Sequence, residues 1–251
     1  MDSMVAILLI GDEILSGSVI EANLHPMTTA LGSIGYAVGE VRIVRDRMAD
    51  IAASFQELRT RYEYVLSSGG IGPTHDDITI ESAVQAFDVP AEEHPDMVAF
   101  LETRYNVPLS PMVRKMALLP KGTEVLGCAE GLWPVIRWEN VFILPGLPKA
   151  LQEKMQRIVT LLPPRNRMWS AEIYVNVDEG FFADWLRDEQ DHAPDVSIGS
   201  YPVYGSYDYR TWLLVRGEER ATVCTVAEKL RRYIEEHAWL VRLGGEVYED
   251  E

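Results

Sequence analysis

Apolar runs and stripes of helical period alternate along the first two thirds of this chain. Val5-Ala6-Ile7-Leu8-Leu9-Ile10 is an unbroken apolar run ended by Gly11-Asp12, the pattern of a strand buried on both faces. A helical pattern follows over residues 22–31, with Pro26 tolerable in a first turn, where no intrahelical donor is lost. Residues 36–44 read as a second strand, and Met48–Arg61 carries Ile51, Phe55 and Leu58 on one helical stripe. Residues 64–67 form a third strand. Thr79–Phe87 is the helix after it, with the Thr79 hydroxyl expected at the N-cap. Helical spacing recurs over 96–105 and 112–118. A hairpin about Trp138-Glu139 is expected from 133–137 and 140–144, and Leu144-Pro145-Gly146-Leu147-Pro148 then opens a helix to about Leu162. The alternation predicts an α/β fold with a mostly parallel sheet and helices on both faces.

Pro163-Pro164-Arg165-Asn166 interrupts this pattern and is the expected linker, dividing the chain into domains 1–164 and 165–251. Beyond it come a strand at 171–177, a helix at 180–190, the strand Val196–Pro202, a strand at 209–215 and a helix at 220–238. Such a β-α-β-β-α unit is a smaller α+β domain that buries one sheet face under two helices. The acidic residues 246–251 are expected to fray.

The chemistry concentrates between the third strand and its helix. Ser67-Ser68-Gly69-Gly70-Ile71-Gly72-Pro73-Thr74-His75-Asp76-Asp77 follows an apolar run and precedes Thr79, the arrangement in which α/β proteins offer backbone N–H groups to a phosphate. Asp77 and Glu81 share a helix face. Asp12 and Glu13 end the first strand and Asp46 follows the second, so three strand ends deliver carboxylates to one rim. Such a ring suits Mg²⁺, Mn²⁺ or a similar oxygen-seeking ion. The alternatives are a tight structural turn and acids that offset a helix dipole.

Charge and cysteine usage narrow the options. With 23 basic against 39 acidic residues the net charge is −16, which disfavours nucleic acid and anionic membrane as partners. Cys128 and Cys224 stand far apart, without the spacing of a zinc site or a disulfide framework. No leader or membrane-length apolar run is seen, so a cytoplasmic location is expected.

Gly70-Ile71-Gly72-Pro73-Thr74-His75-Asp76-Asp77-Ile78-Thr79 resembles the signature of the molybdenum-cofactor-biosynthesis, or molybdopterin-binding, domain family, in the variant found in CinA proteins and in eukaryotic FAD synthases. Gly11-Asp12-Glu13-Ile14-Leu15-Ser16-Gly17 with Asn23, Arg114-Lys115-Met116-Ala117-Leu118-Leu119-Pro120 and Leu144-Pro145-Gly146-Leu147-Pro148 resemble its other motifs, in order, over residues 4–162. Residues 170–245 are similar to the KH-like domain that follows in CinA proteins. The resemblance implies a three-layer α/β/α fold and divalent-metal-dependent hydrolysis of ADP-ribose to AMP and ribose 5-phosphate, with Mg²⁺, Mn²⁺ or Co²⁺ as cofactor. FAD would be a related substrate. It implies Asp46 and Asp77 as critical aspartates, with Glu81 beside Asp77 as the rival for water activation, and Asp12, Glu13, Asp46 and Asp77 as metal ligands. Substrate would touch Gly11, Asn23, Ser68, Gly69, Gly70, Gly72, Pro73, Thr74, Asp76, Pro145, Gly146 and Pro148.

Some positions depart from that pattern. Ser67-Ser68 replace a common Thr-Thr, Lys149 stands where an acid is common, and His75 occupies a variable position. The remaining histidines form no metal spacing. The chain ends before the amidase domain that many CinA proteins append, so that activity is not expected. RNA binding by the second domain is not expected either, since it lacks a GxxG loop and holds 10 basic against 18 acidic residues. Tyr201, Tyr204, Tyr207 and Tyr209 read as the half-buried face of its sheet, or as an adenine or subunit contact. Molybdopterin binding or adenylylation and a non-catalytic nucleotide-binding module are the rival functions. Self-association to at least a dimer is expected.

Overall fold

In the computed structural model the described residues are 4–106, 108–127, 133–166, 168–205 and 207–249, so Cys128 lies outside them. The chain divides into two compact units, Met1–Arg165 and Asn166–Glu251. The first unit opens with β1 (Met4–Ile10), α1 (Asp12–Leu15), α2 (Leu24–Ser33), β2 (Ala37–Val44), α3 (Met48–Arg61), β3 (Tyr64–Ser68) and α4 (Thr79–Phe87). It continues through β4 (Ala91–Glu93), α5 (Pro95–Tyr105), α6 (Pro111–Lys115), β5 (Leu118–Pro120), β6 (Glu124–Leu126), β7 (Val135–Trp138), β8 (Val141–Leu144) and α7 (Pro148–Leu161).

Six strands form the main sheet in the order β2-β1-β3-β8-β7-β6. The pairs β1·β2, β1·β3 and β3·β8 are parallel, while β7 and β6 return antiparallel. The sheet is therefore mostly parallel, as its long apolar strands predict. Successive residues of β1 serve opposite faces. Ala6, Leu8 and Ile10 pack with Phe55, Ala83 and Phe100 on one side, and Val5, Ile7 and Leu9 pack with Met27, Leu31 and Leu151 on the other. Helices α3, α4 and α5 cover the first face and α2 and α7 the second, which gives three layers.

Three local departures from the expected elements have physical causes. Ile78, not Thr79, is the N-cap of α4. Thr79 is fully buried and turns its hydroxyl back to the Gly69 carbonyl. The hairpin turns at Glu139-Asn140, one residue late, because Trp138 stays in β7 with its ring stacked on Phe87 at 4.0 Å and its Nε1 donating to the Lys121 carbonyl. Glu139 takes the positive φ that this turn requires. The short strands β4, β5 and β6, of three residues each, carry too few positions to show a period.

The second unit contains β9 (Trp169–Val175), a 3-10 turn at Glu179–Phe181, α8 (Ala183–His192), β10 (Val196–Pro202), β11 (Thr211–Gly217), α9 (Arg220–Glu236), β12 (Leu240–Gly244) and α10 (Glu246–Glu249). Its antiparallel sheet has the order β10-β11-β9-β12. Ala171, Ile173, Val175, Leu213 and Val215 form its core with Val223, Ala227, Leu230 and Ile234 of α9. Strand β12 and helix α10 were not anticipated, and residues 246–249 are helical where fraying was expected. Of the four tyrosines only Tyr209 is half-buried, its ring 4.8 Å from that of Tyr174. Tyr204 is 86% exposed and Tyr207 60%, while Tyr201 lies beside Trp212, with ring centroids 5.0 Å apart. Among the described residues no helix is long and apolar enough to cross a membrane.

The Phe87–Trp138 stack also meets Phe55, so it joins α3, α4 and the hairpin. Phe87→Ala should destabilise the first unit by about 3–5 kcal/mol, read by denaturant unfolding followed by tryptophan fluorescence. A loss below about 1 kcal/mol would show that this stack is not a main support of the fold.

Candidate functional site

The parallel register sets Ile10 opposite Val44, Leu9 opposite Ser68, and Ser68 opposite Leu144. Four strands therefore end along one rim, and the loops after β1, β2, β3 and β8 meet there. This is the edge at which open parallel sheets bind ligands.

Glycine makes the loop after β3 possible. Gly69 has φ +114°, and a Cβ there would collide with the Ile10 carbonyl, so the backbone of this loop crosses directly over the end of β1. Thr79 clamps the loop from α4. Its hydroxyl donates to the Gly69 carbonyl at 2.9 Å and its N–H to the Gly70 carbonyl at 3.0 Å. Asn23, only 8% exposed, holds the neighbouring loops: Nδ2 donates to Ser68 Oγ at 3.0 Å and to the Gly146 carbonyl at 2.7 Å. Ser68 Oγ in turn donates to the Pro145 carbonyl at 3.2 Å. Glu21 accepts the N–H groups of Asn23 and Leu24 at the start of α2.

The acids occupy distinct positions. Asp46 Oδ2 accepts the Asp12 N–H at 2.8 Å. Burial raises the Asp46 carboxyl above its ordinary value and the Asp12 bond opposes that rise. The charges of Glu13, Asp12 and Asp76 push it further up, so these carboxylates do share one neighbourhood. Asp77 Oδ2 accepts the Thr74 N–H at 2.9 Å together with the Thr74 hydroxyl. Asp76 is exposed, its carboxyl held low chiefly by the nearness of the Thr74 hydroxyl, whose proton goes to Asp77, and then by its own backbone N–H, and His75 beside it is almost wholly in solvent. Glu81 pairs with Lys115 at 3.2 Å and lines a second, smaller cavity of about 230 Å³ together with Asp77, Gly70 and Gly72.

The main cleft, about 630 Å³, is lined by Glu13, Asp46, Asp76 and Asp77 together with Gly69, Gly70, Gly72 and Pro73. Asn23, Ser68, Pro145, Gly146 and Pro148 line it as well; Gly11, Asp12, Thr74 and Glu81 do not. Beyond the loop its wall is apolar, built from Ile71, Ile80, Met97, Met116, Trp133 and Ile136. Sequence reasoning missed this wall and the buried Lys154 that lines the same cleft, whose ammonium donates to the Trp133 and Pro134 carbonyls. One signal was available, since Lys154 shares the apolar stripe of α7 with Leu151, Met155 and Ile158. Trp133 and Met97 carry no such mark.

Among the described residues, no three His, Cys, Asp or Glu side chains are grouped to hold a metal ion. Asp46 and Asp77 each accept a backbone N–H and Glu81 pairs with a lysine, while Asp12, Glu13 and Asp76 stay near enough to Asp46 for their charges to raise its carboxyl.

This architecture defines a class, a three-layer α/β domain with a glycine loop at the carboxyl rim of a parallel sheet, followed in the chain by an α+β unit. The chain belongs to the molybdopterin-binding domain family: the model described as "Probable molybdopterin binding domain" matches residues 6–164. Residues 167–242 match "FAD synthase, middle domain". The chain is 31% identical to a "Probable FAD synthase" of Caenorhabditis elegans over 94% of its own length and 52% of that protein. Against the Caenorhabditis briggsae protein of the same name the identity is 30%, over 93% of this chain and 51% of the relative. The chain thus spans about half the length of these curated relatives. A crystal structure described as CinA of unknown function from Thermoplasma acidophilum covers 62% of this chain and 98% of its own, at 28% identity and a TM-score of 0.57.

These findings overturn the expected hydrolysis of ADP-ribose. Relatives matched along almost the whole chain are named as FAD synthases, and the second unit matches a domain of that enzyme. They support a nucleotide-related function and do not support that hydrolytic reaction.

Gly69→Ala should cost the first unit more than about 1 kcal/mol, because the φ is strained for alanine and the Ile10 carbonyl cannot yield without disturbing β1. Thermal unfolding of the variant checks this, and an unchanged midpoint would contradict the loop geometry.

Proposed function

We propose that the cleft of the first unit binds a nucleotide of the flavin–adenine kind, with phosphate on the backbone N–H groups of residues 70–72 and a planar ring against the apolar wall. The observation that carries this reading is the place of the loop. It shares one cleft with Glu13, Asp46 and Asp76 and with the apolar Met97, Met116 and Trp133. Loops of this kind before a helix attract phosphate, and apolar cavities with a few fixed polar groups take ring systems. The names of the nematode relatives support the same ligand class. On this reading the protein is an enzyme acting on nucleotides by group transfer.

A divalent ion, Mg²⁺, Mn²⁺ or Co²⁺, enters the proposal as a companion of the phosphates, since such ions keep much of their water and need only one or two carboxylates. Glu13 and Asp76 line the cleft and supply negative charge that favours it. Self-association belongs to the same proposal, supported by the exposed apolar Val41 and Ile43 on the edge strand β2. A second reading, a pterin phosphate as ligand, is favoured by the description of the family that residues 6–164 match.

Calorimetric titration of the chain with FAD, FMN, AMP and inorganic phosphate, with and without Mg²⁺, tests the reading. Saturable binding of a flavin or adenine nucleotide, competed by phosphate, is the expected result. Absence of binding by every nucleotide under every metal condition would overturn it, and binding of a pterin phosphate alone would select the second reading.

A further inference from the structure

We infer that Asp46 and Asp77 are positioning residues: each carboxylate latches one rim loop by accepting a backbone N–H, and the nucleotide depends on them through loop shape rather than through a metal that the protein holds. The binding part of this inference rests on the nucleotide reading above.

The contacts around Asp77 form a closed turn. Its carboxylate accepts the Thr74 N–H and hydroxyl, while its own N–H donates to the Thr74 carbonyl at 3.3 Å. Lys115 braces the turn from outside, with its ammonium 3.0 Å from the Asp77 carbonyl and 3.2 Å from Glu81. The carboxylate also passes close to Gly72, where a Cβ would stand 2.6 Å from Oδ2. Glycine at 72 is therefore a condition of the latch, independent of any need for positive φ. The Thr74–Asp77 turn fixes the exit of the segment whose N–H groups are the proposed phosphate donors.

Asp46 makes the matching contact one strand away. It sits beyond β2 yet accepts the N–H of Asp12, beyond β1, and beside it Gly11 N–H donates to the Val44 carbonyl at 3.1 Å. The loops after two neighbouring strands are thus joined. Hydrogen bonds from a backbone N–H to a carboxylate are among the stronger ones in proteins, and a backbone group left without its partner is costly. Both aspartates answer such a demand, while no metal-holding group of three is present among the described residues.

Amide hydrogen exchange on the ligand-free chain and nucleotide affinity in EDTA and in Mg²⁺ test the inference together. In Asp77→Ala, exchange at Thr74 should speed by about tenfold or more while the amides of β1 and β3 keep their protection, and affinity should fall by a similar factor even in EDTA. Asp77→Asn keeps an oxygen for both Thr74 donors and should restore most of each loss. Gly72→Ala should displace the carboxylate and reproduce Asp77→Ala, with no further loss when the two are combined. Asp46→Ala and Asp46→Asn should repeat the pattern at the Asp12 amide.

Native exchange at Thr74 and Asp12 in the alanine variants would overturn the inference. So would faster exchange with unaltered affinity. An Asp77→Asn loss as large as that of Asp77→Ala, seen only with Mg²⁺, would mark metal ligation and overturn it as well. If the unaltered chain binds no nucleotide, the functional reading fails, and the exchange measurement still decides whether the latches exist.

Discussion

The backbone beyond the last ladder bond of a parallel sheet still needs hydrogen-bond partners, and this constraint shapes the rim. Four strands end together, so several N–H and C=O groups lose their sheet partners at one place. Side chains from other elements supply what the ladder no longer does. Thr79 takes up the carbonyl of Gly69, Asn23 that of Gly146, Asp46 the N–H of Asp12 and Asp77 that of Thr74. Each polar residue that looked catalytic in isolation is thus also part of the rim's own support. The N–H groups of the glycine loop are offered to a ligand only because that support holds the loop in place.

Electrostatics sets a second condition on the same edge. The chain carries a net −16, and beyond the effect of burial Glu13, Asp12 and Asp76 stand close enough to push the Asp46 carboxyl up. An anionic ligand gains nothing from long-range attraction to such a surface. Its phosphate must be held by short-range N–H bonds and its ring by apolar contact, which is the division of the cleft into loop and wall. A divalent ion arriving with the phosphates relieves the same repulsion without a dedicated protein cage.

The parts of the fold that were legible in the sequence are those written in long periods. Helices Met48–Arg61 and Thr79–Phe87 and strand β10 have their expected bounds, because hydrophobic stripes and flanking turn residues agree there. The glycine loop and its acids were legible as a group, and so was their delivery to strand ends. The direction in which each acid points was not. Nothing in Asp77 and Thr74 as letters shows that one closes a turn on the other, and Glu81 shares a helix face with Asp77 yet pairs with Lys115. The apolar wall was hidden for a related reason. Met97, Met116 and Trp133 come from separate segments that only tertiary packing brings together. Length defeated the rest, since three-residue strands show no pattern.

The central claim is that the N–H groups of residues 70–72 receive a phosphate. Backbone amide shifts of Gly70, Ile71 and Gly72, followed by NMR through a titration with FAD or AMP, test it most directly. The account predicts saturable, concerted shifts at these amides, reproduced in part by inorganic phosphate. Binding that leaves them unmoved while shifting amides elsewhere would contradict it.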